Sequence, residues 1–215
     1  QEEHTNFGER AQVKARRRPP RPSAAEIAEY EATHYPYRAR CRYCVMGEGR
    51  RDQHRGSGQA DEPDEIPLIA GDYGFFTDGH FEADHGASPI LIAEHWSKEA
   101  VLSEVVLAKG RDQYAIEVFR RWLTWMGDPE LKLRSDGEPP IRSLMEETET
   151  EMKKKGVRVV PDVTPKGDSQ AGGKQENTVK RCKAKARTLW WQQAVERHGI
   201  TDGDAAHPML PWCIN

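Results

Sequence analysis

The segment Ile66-Pro67-Leu68-Ile69-Ala70-Gly71-Asp72-Tyr73-Gly74-Phe75-Phe76 is apolar nearly throughout and carries one carboxylate, Asp72. A run this apolar has to be covered on both faces, so it reads as a buried central strand that carries a functional acid. The chain around it fits that role. Pro89 to Glu94 and Ala100 to Ala108 read as the second and third strands of a meander. Tyr114, Ile116, Val118, Phe119, Trp122, Leu123, Trp125 and Met126 then recur at helical spacing, with Asp112 as N-cap and Gly127 as stop. A short strand, Leu131 to Arg134, ends at Ser135-Asp136. A helix from about Pro140 to Lys155, a strand at Val157 to Val160, a Gly-rich loop from Lys166 to Gly173 and a long helix from Lys174 to His198 follow. The order β-β-β-α-β-α-β-α predicts an α/β fold, a mixed sheet flanked by helices.

Of the 215 residues 36% are apolar, low for a fully packed globule, and the shortfall lies at the amino-terminal end. Residues 1–25 combine Arg16-Arg17-Arg18 with Pro19, Pro20 and Pro22 and read as a basic, disordered linker. Residues 26–60 read as a zinc-binding-like module and a polar linker. A helix from Ala24 to Tyr30, capped by Ser23, leads into Cys41-Arg42-Tyr43-Cys44. Two thiolates at C-x-x-C spacing, with His34 seven residues before Cys41, suit a tetrahedral Zn²⁺ that still needs a fourth ligand. The plainer reading makes His34 a surface histidine. Residues 64–200 form the core domain, and residues 201–215 open a further element, so the chain reads as an excerpt of something longer. Cys182 and Cys213 read as packing residues, and Trp190 and Trp191 as core or subunit-contact residues. No apolar stretch approaches the roughly 18 residues of a membrane span, and Gln1-Glu2-Glu3-His4 is not a signal-peptide core, which predicts a soluble intracellular protein.

Thirty-two basic residues against 35 acids give a net charge of -3, which neither demands nor excludes a polyanionic partner. Distribution says more. The first 60 residues hold twelve Lys or Arg against eight acids, and the last helix carries Lys174, Lys180, Arg181, Lys183, Lys185 and Arg187. Such a run is either a solvated helix face or a row of phosphate contacts, the salt-sensitive kind that binds DNA of any sequence.

Asp72, Asp136 and Glu176 are far apart in sequence, so only the fold can gather them. First and fourth strands side by side would bring Asp72 and Asp136 together, and an acid one turn into the last helix would project over them. Converging carboxylates repel unless cations neutralise them, a setting for hard Mg²⁺. Two such ions about 3.5 to 4 Å apart activate an attacking oxygen and stabilise a departing one in phosphoryl transfer. The plainer alternative is that these are three of 35 acids.

Asp72-Tyr73, then Ser135-Asp136-Gly137-Glu138-Pro139-Pro140-Ile141, then Gly167-Asp168-Ser169-Gln170-Ala171-Gly172-Gly173-Lys174-Gln175-Glu176-Asn177-Thr178-Val179 form an ordered set. It resembles the integrase core of retroelements, particularly copia-type retrotransposon polyproteins, over about residues 29–215. The resemblance implies an RNase H-like five-stranded sheet and two Mg²⁺ or Mn²⁺ ions held by Asp72, Asp136 and Glu176. It also implies strand transfer that joins element 3' ends to double-stranded target DNA, a homo-oligomer, and a nuclear location with a cytoplasmic stage. The amino-terminal module of that family uses two His and two Cys for zinc, which assigns His34, Cys41 and Cys44 as ligands. Tyr30 stands where the first His would be and Arg40 where a Trp would be, so the fourth ligand is His4, His54 or water, or zinc affinity is lost. Ala171-Gly172-Gly173 replaces the usual Ser-x-Asn-Gly pattern. A copy that binds DNA without catalysis, and an RNase H-like nuclease, are the other functions compatible with these residues.

Overall fold

The computed structural model describes residues 22–48, 66–76, 88–163, 169–200 and 207–214. The chain divides into two compact units, residues 1–33 and 34–215. In the first, helix α1 (Ala24–Thr33) starts at a capping box: Glu26 N–H donates to Ser23 Oγ at 3.3 Å, and Ser23 N–H donates back to Glu26 Oε2 at 2.7 Å. The basic linker expected over residues 1–25 lies almost wholly outside the described residues.

The second unit begins at His34 and contains α2 (Arg42–Glu48), β1 (Leu68–Gly74), β2 (Ile90–His95), β3 (Ala100–Val105), α3 (Gln113–Met126), β4 (Glu130–Ser135), α4 (Pro139–Lys154), β5 (Arg158–Val163), α5 (Ser169–Trp190), a π-helical turn (Trp191–Arg197) and α6 (Met209–Ile214). The five strands make one sheet in the order β3-β2-β1-β4-β5. β1, β2 and β3 pair antiparallel as a meander, while β4 lies parallel to β1 and β5 parallel to β4. An antiparallel meander extended through its first strand by two parallel strands, with helices on both faces, is the RNase H-like fold.

Strand alternation produces the two faces. Ile69 and Tyr73 of β1 and Leu91 and Ala93 of β2 enter a layer with Phe119 and Leu123 of α3 and Ile141, Leu144 and Met152 of α4. Ile90 and Ile92 of β2 enter the opposite layer with Ala186 and Trp190 of α5, Ala194, and Leu210 and Cys213 of α6. Gly74 belongs to this second face, since a Cβ there would stand 3.4 Å from Val179 of α5. Asp72, two residues earlier, shares it.

Local chemistry sets several boundaries where the sequence places them. Asp112 Oδ1 accepts from Tyr114 N–H at 3.0 Å, and Gly127 closes α3 in the left-handed conformation with φ 74°. Other boundaries differ. β3 stops at Val105 rather than Ala108: Val106 N–H still donates to Pro89 O, which has no N–H to return, and Leu107 N–H then turns to Asp112 Oδ2, which draws the chain into the cap of α3. α5 starts at Ser169, so Gly173 is helical rather than part of a loop, while residues 166–168 of that expected loop lie outside the described residues. Each Gly weakens a helix by about 1 kcal/mol relative to Ala, a modest penalty in a helix of 22 residues. The helix then widens into a π turn, in which Gln192, Gln193 and Ala194 are buried in succession, more than an α-helical stripe allows.

Candidate functional site

The parallel register of β1 and β4 pairs Ala70 with Arg134. Two residues further along β1 comes Asp72, on the face that α5 covers, and Asp136 follows directly on the end of β4. Tyr73 N–H donates to Asp72 Oδ1 at 2.7 Å. Asp136 Oδ1 accepts from Glu138 N–H at 3.0 Å in a tight turn around Gly137, whose φ of 84° suits glycine, and Pro139 then opens α4. Burial pushes the Asp72 carboxyl up to about 6, against the pull of the Tyr73 N–H bond; the negative charges of Asp136 and Glu138 raise it further and the Lys109 ammonium opposes them. A hard oxygen donor whose charge is disfavoured by burial and by acids nearby is what a divalent cation such as Mg²⁺ relieves, so Asp72, with Asp136 beside it, fits that ion.

Glu176 is arranged differently. Its exposed carboxylate pairs with Lys180, four residues on, at 2.7 Å, and the hydrogen bond from that ammonium holds it below the usual range. Neither aspartate contributes to its shift. Among the described residues the three acids do not form a compact donor group, and the group that does, with all ligand atoms within 4.8 Å of one another, is His34, Cys41 and Cys44.

His34 is wholly buried rather than a surface histidine. Its Nδ1 lies 3.4 Å from Cys41 Sγ and 3.8 Å from Cys44 Sγ, while Nε2 lies 2.8 Å from Gln192 Oε1. A carbonyl oxygen only accepts, so Nε2 carries the proton and the lone pair of Nδ1 faces the two thiols. Gln193 Nε2 donates to the same Gln192 oxygen at 2.9 Å and fixes that amide. One imidazole and two thiols in this tautomer fit three corners of a zinc tetrahedron, with an outer amide orienting the ring. Tyr30 stands on the other unit, and His4 and His54 lie outside the described residues.

The knuckle is seated on the core. A Cβ at Gly47 would fall 2.2 Å from Thr188 Oγ1 and 2.5 Å from Thr188 N, so α2 meets α5 where only glycine fits. Arg187 Nε donates to Gly47 O at 2.9 Å across the same contact. Arg187 therefore ties α2 to α5. The other basic residues expected at a DNA surface are disposed variously. Lys174 Nζ sits 4.3 Å over the Trp96 ring, Lys180 pairs with Glu176, and Arg181 approaches buried Glu94 at 3.6 Å. Lys183 flanks Gly74, and Lys185 Nζ lies 5.8 Å from the Tyr35 ring. Burial pushes the Cys182 and Cys213 thiols up to about 11, which matches packing residues.

Sequence reasoning missed Lys109, Glu138, Trp96 and Gln192. Glu138 lies inside the quoted Ser135 block and had a signal; Lys109, which also sits 4.7 Å over the Phe75 ring, and Gln192 had none.

No family model and no curated protein matches this chain. Among solved structures it is similar to the HTLV-2 integrase catalytic core domain in complex with magnesium, in its dimeric form, at 14% identity over 66% of this chain and 84% of that one, with a TM-score of 0.42. It is also similar to a chain of the simian T-cell lymphotropic virus intasome in complex with a PP2A regulatory subunit, at 14% identity and a TM-score of 0.49. That match covers 81% of this chain and 57% of the viral one.

Proposed function

We propose that this chain is the integrase region of a copia-type retrotransposon polyprotein and joins element DNA 3' ends to double-stranded target DNA. The observation that carries the reading is the acid pair: Asp72 on β1, pushed up to about 6, lies within electrostatic reach of Asp136, which follows the end of the parallel neighbour β4 in an RNase H-like sheet. Asp72 and Asp136 would hold divalent cations, and Glu176 completes the set by swinging off Lys180. Two Mg²⁺ or Mn²⁺ ions bound there supply activation of an attacking 3'-hydroxyl and stabilisation of the departing 3'-oxygen. Lys174, Lys180, Arg181, Lys183 and Lys185 would meet phosphates along α5, with Arg187 behind them as a brace. The His34, Cys41 and Cys44 group would take zinc. A homo-oligomer that works in the nucleus after a cytoplasmic stage belongs to the same reading.

A second reading is favoured by one contact. Glu176 already pairs with Lys180, so a copy fixed in this arrangement would bind DNA without catalysis. A strand-transfer assay with oligonucleotide ends and Mg²⁺ separates the two. The first reading expects product that Asp136→Asn abolishes, by at least a hundredfold. Product unaffected by that substitution overturns the site, and salt-sensitive DNA retention with no product under any divalent metal leaves the second reading.

A further inference from the structure

β3, α5 and α6 enclose a groove of roughly 400 Å³, the size of a small-ligand site, whose mouth is framed by the segment that precedes the Cys knuckle. One wall carries Tyr35 and Tyr37, whose rings are exposed although large and mostly apolar, at 74% and 45%. The lining also includes Arg181 and Lys185, one helical turn apart and thus about 6 Å along the α5 axis. Apolar Val101 and Ala186 line it as well. The Lys185 ammonium reaches to 5.8 Å from the Tyr35 ring, so cation and aromatic face are already side by side. Arg181 is held only loosely by Glu94, at 3.6 Å; that carboxylate is almost wholly buried and also accepts from Thr178, while about half of the Arg181 side chain meets solvent.

We propose that this groove binds an unpaired nucleotide of a DNA strand, with the base against Tyr35 and Tyr37 and the phosphate between Arg181 and Lys185. Paired cations alone suit any anion, an acidic peptide included. Two aromatic faces beside them favour a base, because every base offers a π-face to stack on. A base inside a duplex spends its faces on its neighbours, so the occupant is unpaired. The choice of DNA as the polymer rests on the integrase reading; the pairing of aromatic and cationic walls does not. Strand order keeps the groove apart from the acid pair, since β3 is two places from β1 and three from β4.

Fluorescence anisotropy of a labelled oligo-dT strand with the full chain, across a salt series, tests the site. Wild type should bind the strand more tightly than a duplex of the same length. Tyr35→Ala should weaken strand binding by about 5- to 100-fold with an unchanged salt slope, while Tyr35→Phe keeps it. Arg181→Ala with Lys185→Ala should weaken it and lower the magnitude of the log–log salt slope by about 1.4. Equal binding of duplex and strand, no effect of Tyr35→Ala, or displacement of the strand by an equal concentration of poly-glutamate overturns the proposal. Oligo-dT preference without strand-transfer product sinks the strand-transfer reading alone, and product without preference for the strand sinks the groove alone, so the two failures are told apart.

Discussion

Asp72 sits in surroundings far from those of a carboxylate in water. Its acidity in the folded protein lies near 6, against about 4 in an unfolded chain. Between those values the folded state binds the extra proton, so stability falls as pH rises through that window and levels off above it. Without divalent ions, Asp72→Asn should remove this slope and stabilise the protein near neutral pH by on the order of 2 kcal/mol, once partial exposure of the group is allowed for. Urea unfolding from pH 4 to 8 in the presence of a chelator measures it, and a slope that survives the substitution would mean another group causes it. The acid itself was legible in the sequence, because a lone carboxylate in an apolar strand is rare enough to stand out. Asp136 was legible with it, but Lys109 and the partner of His34 were not. Lys109 acts through a loop whose path no local pattern encodes, and the partner of His34 lies 158 residues away in a stretch with no distinguishing composition.

At the scale of elements, the sequence reads best where a boundary is made by adjacent residues. Asp112 and Gly127 delimit α3 because cap chemistry works over two or three residues. The start of α5 and its π-helical end were not legible: the glycines before Lys174 imitate a break, and the wide turn depends on what buries Gln192 to Ala194 from outside the helix. The α2–α5 contact depends on one missing side chain. Gly47→Ala should cost about 1 to 3 kcal/mol, since the nearest atoms include backbone of Thr188 that cannot swing aside. A thermal melt of that variant beside wild type tests the contact, and an unchanged midpoint would show that α2 can lift off without penalty.

Across the whole molecule, two apolar layers flank one sheet, and the sequence order of strands and helices was enough to foresee that plan. It was not enough to foresee that the Cys knuckle, read as a separate module, shares a compact unit with the sheet. Zinc offered to the metal-free protein should therefore raise the melting temperature of that whole unit, by several degrees at a hundredfold excess over the dissociation constant. Gln192→Ala should weaken zinc affinity by about 10- to 100-fold, read from the absorption of Co²⁺ as a stand-in ion. A melting point indifferent to zinc would remove the metal from the account and leave an imidazole between two thiols. The His34 imidazole is a rivet between the opening of this unit and its last long helix. The energy that couples residue 34 to residue 192 is one quantity whichever end it is read from, while a lesion at residue 34 also forfeits the two thiol contacts.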